Sequence, residues 1–339
     1  MQTILSKGRV FNYSHCVGNN AVSETGFHYP NGIVRGPGNV VYVLNQPDEL
    51  QPVPHVSVAD VGNDWHQEEW IKDFGDLGEG NGNFVWPAGI ARDGDGNIYV
   101  SDQWLHRVSV FDKDGKFLHK FGAKGSGKGQ LNGPTGLAVD SRGNVYVSEY
   151  DNHRIQKLTK EGKHIAMWGG LGEEHGQFRH PWGVATDKDD NVYVADWRND
   201  RVEKFTSDGR YLMTFGTVGS GKGQYQRPSA VAVDKDGDVY ICDWWNHKVE
   251  VFDAKGGYVT TFVGDAERLS KWGEARVKSN PDAVKARMRM KTLEMEWRFN
   301  RPTAIATGDD GRIMVVETQR MRVQIYKKEQ NWTEPQFNL

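Results

Sequence analysis

Pro87-Ala88-Gly89-Ile90-Ala91-Arg92-Asp93-Gly94-Asp95-Gly96-Asn97-Ile98-Tyr99-Val100-Ser101-Asp102 is the stretch that decides the fold. Short runs rich in β-branched and aromatic residues flank an Asp/Gly/Asn turn, which is a hairpin signal. A third run, Arg107-Val108-Ser109-Val110-Phe111, leads through Lys113-Asp114-Gly115 to a fourth, Lys116-Phe117-Leu118-His119-Lys120-Phe121. Four short antiparallel strands make one blade of a β-propeller. Such a sheet cannot bury both faces alone, so copies must stack around an axis. The opening proline recurs to match: Pro87, Pro134, Pro181 and Pro228 stand 47 residues apart, and Pro30 and Pro302 extend the series with gaps of 57 and 74. A period in this range marks a repeat architecture.

The phase also predicts how the ring closes. Gly18, Gly75, Gly122, Gly169 and Gly216 each fall twelve residues before the next proline, so the segment after Arg9 matches the fourth strand of a blade. The unit after Pro302 has only three strands, the last at Arg322-Val323-Gln324-Ile325-Tyr326. The expected fold is an all-β, six-bladed β-propeller of four-stranded antiparallel blades, with strand 9–17 completing the last blade. Blades start near 27, 84, 131, 178, 225 and 299 within one domain, 1–339.

Net charge is −3 and pI about 6.4, which argues against strong non-specific affinity for nucleic acid or anionic membrane. No apolar run approaches the length of a spanning helix. The opening Met1 to Gly8 is too short and polar for a signal peptide, so a cytoplasmic location is expected. Cys16 and Cys242 make no disulfide framework.

The pattern Asn144-Val145-Tyr146-Val147-Ser148-Glu149 followed by Asn152-His153-Arg154-Ile155 resembles the NHL repeat, and Asn199-Asp200-Arg201-Val202 and Asn246-His247-Lys248-Val249 repeat it. The resemblance supports the fold and leaves function open, because such propellers host enzymes, RNA-binding domains and protein-binding modules. Within the family, peptidyl-α-hydroxyglycine α-amidating lyase is the nearest catalytic precedent, with zinc held by histidines that follow the blade proline. Here those positions hold Asn31, Ala88, Thr135, Trp182, Ser229 and Thr303, so the resemblance implies neither that zinc nor that reaction. No redox-cofactor motif is visible and no metal is expected.

An acid fifteen residues after the proline (Asp102, Glu149, Asp196, Asp243, Glu317) and a base twenty after (Arg107, Arg154, Arg201, Lys248, Arg322) repeat in five blades. Repetition at one spacing reads as a structural ion pair. His106, His153 and His247 fall in the same repeated slot and are discounted as ligands. Blade 1 departs, with Asn45 in the acid slot and Pro47, Pro52 and Pro54 in a longer connection. Gly122–Lys128 and Gly216–Lys222 mimic a phosphate-binding loop, but each lysine is followed by glycine and then a strand, so they read as blade connections. Asp93–Asn97 lacks the late glutamate of a calcium loop and reads as a turn. Cys242 reads as a small buried residue.

Function belongs to what varies between blades. The loop before each proline and the loop between second and third strands emerge on one face. They carry Tyr29, Asn31, Trp86, Trp104, Trp182, Trp197, Trp244, Trp245, Arg301 and Gln319, the candidate ligand-binding set, with Ser229, Thr303, Gln103, Thr318 and Arg320 beside them. Six of the twelve tryptophans are there, as wedges between blades or as ligand platforms. Arginine beside aromatic faces suits planar or anionic ligands; the alternative is a solvated rim. Candidate acids and bases are Glu149, Tyr150, Asp151 and His180, with Arg198 and Arg227 to stabilise negative charge.

Between Gly264 and Pro302 lie 38 residues instead of twelve. Asn280-Pro281 reads as an N-cap and first-turn proline of a helix running to about Glu296. The insert, 265–298, is expected as a lid over the pocket, or else as a clasp at the blade 5–6 junction. The favoured function is an enzyme of lyase or hydrolase type acting on a small-molecule or peptide-derived ligand. The alternatives are a non-catalytic module binding protein or single-stranded RNA on the same face, and an interaction scaffold. No membrane partner is expected.

Overall fold

The protein is described here by a computed structural model covering residues 2–19, 25–48 and 52–332. Each proline opens the innermost strand of a four-stranded antiparallel sheet, as in Pro87–Arg92, Ile98–Asp102, Arg107–Phe111 and Phe117–Phe121 for blade 2. Six such sheets form the propeller. Adjacent inner strands approach closely where a glycine stands two residues after the proline. A Cβ on Gly183 would meet the Ser229 carbonyl oxygen at 2.7 Å, and one on Gly32 would meet the Ile90 side chain at 2.8 Å. Apolar residues of facing sheets fill the gaps between blades, as where Leu44, Val56 and Val58 of blade 1 meet Ile98, Val100 and Phe111 of blade 2.

Closure follows the expected route. Strand Arg9–Val17 pairs antiparallel with Arg322–Lys328, from Phe11↔Lys328 to Val17↔Val323, with the register shifting by one residue between Tyr13 and His15. The sequence reading missed one further strand. Thr3–Ser6 turns through Lys7-Gly8, both with positive φ, and adds a fifth, outermost strand to blade 6.

The Asp/Gly/Asn segments are hairpin turns tied to the core. Asp93 accepts the Asn97 N–H at 2.8 Å and the hydroxyl of buried Tyr99 at 3.0 Å; Asp187, Asn191 and Tyr193 repeat the arrangement. Cys16 and Cys242 are free and buried. No described helix is long and apolar enough to cross a membrane.

The repeated acid and base pair in four blades: Glu149–Arg154 at 2.7 Å, Asp196–Arg201 at 3.0 Å, Glu317–Arg322 at 2.6 Å and, more loosely, Asp243–Lys248 at 3.8 Å. Blade 2 breaks the expectation. Asp102 spends both oxygens on the N–H groups of Val85, Trp86, Trp104 and Leu105, and Arg107 donates only to the carbonyls of Glu79, Gly80 and Asn83. Leu105 fills the slot where Asn152 and Asn199 donate a side-chain N–H to their acids. With no such donor in blade 2, backbone groups take the carboxylate over. In blade 1 Asn45 takes the acid slot and accepts the His28 N–H, and His55 lies opposite it in the base slot. Part of the longer blade 1 connection, residues 49–51, lies outside the described residues.

The insert lies between blades 5 and 6, but the expected helix is divided. Helices span Lys271–Ser279, Pro281–Arg289 and Glu294–Trp297. Asn280 caps the second through the N–H groups of Asp282 and Ala283, as its sequence predicts. The first, unforeseen, is capped by Ser270 and packs Trp272 against Phe27 and Trp70. Buried Glu68 accepts the N–H groups of Gly18 at 3.1 Å and Trp272 at 2.5 Å. Arg322 holds the carbonyls of Glu296, Trp297 and Arg298. These anchors lie on blades 6 and 1, while Ala266 and Trp297 pack in the core between blades 5 and 6, so the contacts are those of a clasp that reaches from the expected junction to the next.

Candidate functional site

Four non-glycine residues before a blade proline adopt the left-handed conformation: Tyr29 (φ 41°), His180 (57°), Arg227 (53°) and Arg301 (55°). Such a conformation disfavours side chains with a Cβ. In three of them the preceding blade holds the N–H. His180 donates to His153 Nδ1 at 3.1 Å, Arg227 to Asp200 Oδ1 at 2.6 Å and Arg301 to His247 Nδ1 at 2.9 Å. Gly133 donates likewise to His106 Nδ1 at 3.1 Å. The discounted histidines are therefore blade-to-blade latches. Burial pushes all three below the ordinary histidine pKa, which keeps the accepting lone pair available.

These backbone fixings aim several variable side chains at the axis. Asn31, Trp182, Trp197, Trp244, Arg301 and Gln319 line one cavity of about 210 Å³ with Gln46, Ser229, Thr303 and Thr318. Below it, a channel of about 330 Å³ runs between the inner strands, and Asn31, Trp182, Ser229 and Thr303 border both. No residue of 265–298 lines either space, so the insert forms no lid over this mouth.

The aromatic rings form an arc across blades 3 to 5. Tyr150 meets Trp182 at 5.7 Å, Trp182 meets Trp197 at 5.9 Å, and Trp197 meets Trp244 at 6.2 Å, edge-on or tilted. Guanidiniums lie on this arc: Arg198 and Arg227 each stand 4.9 Å from the Trp197 ring, and Arg301 stands 4.7 Å from that of Trp244. Arg198, Arg227, Arg179 and His180 enclose an adjoining cleft of about 430 Å³. His180 Nδ1 lies 3.0 Å from the Tyr150 carbonyl and donates to it, which leaves Nε2 as an acceptor. Among the described residues no carboxylate lines the mouth or the cleft.

The remaining candidates part company. Trp86, Trp104 and Asp151 line a separate rim groove with Gln103, His106, Lys124 and Asn132. Trp245 is exposed and tilted against Trp244 at 6.1 Å. Tyr29 packs on His28, and Tyr150 serves as a ring and a carbonyl for His180. Glu149 is fully buried and accepts from Asn132 N–H, Asn152, Arg154 and Gln156. Its place in the structural layer leaves no accessible oxygen for acid–base work. Sequence reasoning missed Gln46 and Lys124. Gln46 directly follows Asn45, as Gln103 follows Asp102, and Lys124 lies in a loop set aside as a blade connection. Among the described residues no group of His, Cys, Asp and Glu is placed to hold a metal ion.

Comparison with known proteins agrees with this architecture. The NHL-repeat family model matches residues 84–111, 131–158, 178–205 and 225–252. Two Caenorhabditis elegans proteins are similar over short segments: B-box type zinc finger protein ncl-1, 48% identical over 44 residues, and protein lin-41, 44% identical over 50. These segments cover 13% and 15% of this chain but only 5% and 4% of those proteins. A Bacteroides thetaiotaomicron protein of unknown function superposes with a TM-score of 0.60 at 20% identity, over 95% of this chain and 76% of that one. Virginiamycin B lyase from Staphylococcus aureus gives 0.57 at 13% identity, over 94% and 99%. A chain of the nidogen/laminin complex gives 0.54 at 19% identity, over 77% and 92%. At these identities the structural likenesses show the fold alone. With NHL repeats matched in four blades and the six-bladed ring closed by its own N-terminal strand, the chain is a six-bladed β-propeller that carries NHL repeats.

Proposed function

We propose that the axial mouth and its adjoining cleft bind a small planar anion. One observation carries this reading: Trp197 stands between two guanidiniums, Arg198 and Arg227, where no carboxylate among the described residues lines the space. The Asp200 carboxylate, held at 2.6 Å by the Arg227 backbone N–H, comes no closer than 4.0 Å to the Arg227 guanidinium, and the Arg198 guanidinium has no acidic partner among the described residues. An aromatic carboxylate or a phosphorylated ring would stack on indole and accept from guanidinium together. Lyase or hydrolase turnover is the further step on this reading. It would use His180 Nε2 as base and Arg198 and Arg227 to stabilise the developing anion, with no part for Glu149. The buried free thiols suit the cytoplasmic setting expected from the sequence.

Titration of 1-naphthoate by isothermal calorimetry and tryptophan fluorescence tests the binding. Arg198→Ala and Arg227→Ala should each weaken it about ten-fold. If neither does while the fold is intact, the mouth is not the site. A second reading, a platform for protein or single-stranded RNA, is favoured by the exposure of Trp245 at the end of the arc. A steep fall of oligouridylate affinity with salt, without naphthoate binding, would select it.

A further inference from the structure

The rim groove of blades 2 and 3 is chemically unlike the mouth. It encloses about 740 Å³, within the usual span of ligand sites, between Trp86 and Trp104. Trp104 is 68% exposed and Trp86 43%, and among the described residues neither ring packs on another aromatic ring. The floor and edges carry Gln103, Lys124, Asn132 and Asp151, and none of these side chains makes a hydrogen bond or ion pair among the described residues. The backbone beneath is fixed: Gln103 N–H donates to the Trp86 carbonyl at 2.9 Å, Asp151 N–H to that of Asn132 at 3.4 Å, and Gly133 N–H to His106 Nδ1 at 3.1 Å. The groove thus presents free indole faces and unspent polar groups from a rigid frame, with one lysine and one aspartate balancing its charge.

We infer that this groove is a binding site for a neutral saccharide. A pyranose offers a face of C–H bonds, which lies on an indole, and an edge of hydroxyls, each both donor and acceptor. Amide and carboxylate side chains read such an edge by paired hydrogen bonds, as Gln103, Asn132 and Asp151 can, with Lys124 donating. A strand of nucleic acid is a poorer fit, because its phosphates would meet a single lysine beside an aspartate. An organic cation would meet that same lysine. The groove shares no residue with the arginine cleft, so this proposal stands or falls apart from the proposed mouth ligand.

The test is a titration of the full chain with cellobiose, maltose and N,N′-diacetylchitobiose, followed by tryptophan fluorescence and calorimetry. At least one should bind at millimolar or lower concentration. Trp104→Ala should weaken that binding at least about ten-fold, Asp151→Asn by a smaller factor, and Trp104→Phe should largely restore it. The thermal midpoint should not move, since the Trp104 ring packs on no other ring. Absence of binding by all three sugars, or affinity unchanged in Trp104→Ala, would overturn the proposal. So would oligouridylate binding that Trp104→Ala abolishes in a protein blind to sugars.

Discussion

Two layers of charge lie close together on the top face and behave in opposite ways. In the lower one, Arg154, Arg201 and Arg322 each meet a buried acid, and their remaining N–H groups go to carbonyls of the preceding loop. Just above, Arg198, Arg227 and Arg301 lie on indole rings, and among the described residues none of the three guanidiniums has a carboxylate within hydrogen-bond distance. The same residue type is structural where its position repeats and available where it does not. A buried guanidinium without partners is costly, so repetition carries the partners with it. At the rim water does that work, and the side chain is free to meet a ligand.

The largest effect expected from breaking this contrast is in the lower layer. Glu317→Ala leaves the buried Arg322 guanidinium without its acid and should cost about 3–5 kcal/mol of stability. Urea unfolding measures it; a loss of less than about 1 kcal/mol would mean that this pair is not what holds blade 6.

Glu68 extends the contrast to the insert. Burial pushes its carboxyl up to about 7, yet it still accepts the N–H groups of Gly18 and Trp272. Glu68→Ala orphans both and should cost about 1–3 kcal/mol. Faster proteolytic cleavage within 271–298, with the blades intact, is the expected signature of a released clasp.

A smaller effect sharpens the comparison through pH. Burial raises the Asp196 carboxyl to about 6 despite its pairing with Arg201. The native state then holds a proton more tightly than the unfolded chain does. The stability from this group is full below the ordinary carboxylate range and is lost as pH rises through about 6. Relative to Asp196→Asn, the natural protein should gain about 1 kcal/mol on going from pH 7 to pH 5. The difference between the two proteins matters because buried His15, its pKa lowered by burial, acts in the opposite sense. A gap between the two curves that does not change with pH would show that Asp196 is ionised throughout.

Six blades, their phase and their closure were legible because each rests on a residue type that a repeated geometry demands. The proline opens the inner strand, the acid and base tie the loop, and the aspartate caps the turn. The convergence of Asn31, Trp182, Trp197, Trp244, Arg301 and Gln319 was legible for the same reason, since a fixed phase places every loop. The placement of the insert and the choice among candidate residues were not legible. The lid became a clasp because Trp272 finds Phe27 and Trp70, a meeting that no spacing announces. Glu149 was counted among catalytic candidates although it occupies the repeated slot, and that slot decides its fate. Trp86 and Trp104 share the face of the mouth but line a different cavity, because rings on one rim need not converge on one axis.

The smallest expected effect is the most informative about the rim. Arg198→Ala removes a guanidinium that lies against Trp197 and has no acid partner among the described residues. Surface substitutions of this kind usually move stability by no more than about 0.5 kcal/mol. Unfolding should therefore be nearly unchanged, while Trp197 fluorescence and naphthoate affinity shift. The paired experiment, Arg322→Ala beside Arg198→Ala, sets one residue type against itself, buried in blade 6 and exposed on the rim of blade 4. A loss of several kcal/mol in both would mean that the rim arginines are part of the scaffold after all, and the separation between repeated and variable positions would fail as a guide to function.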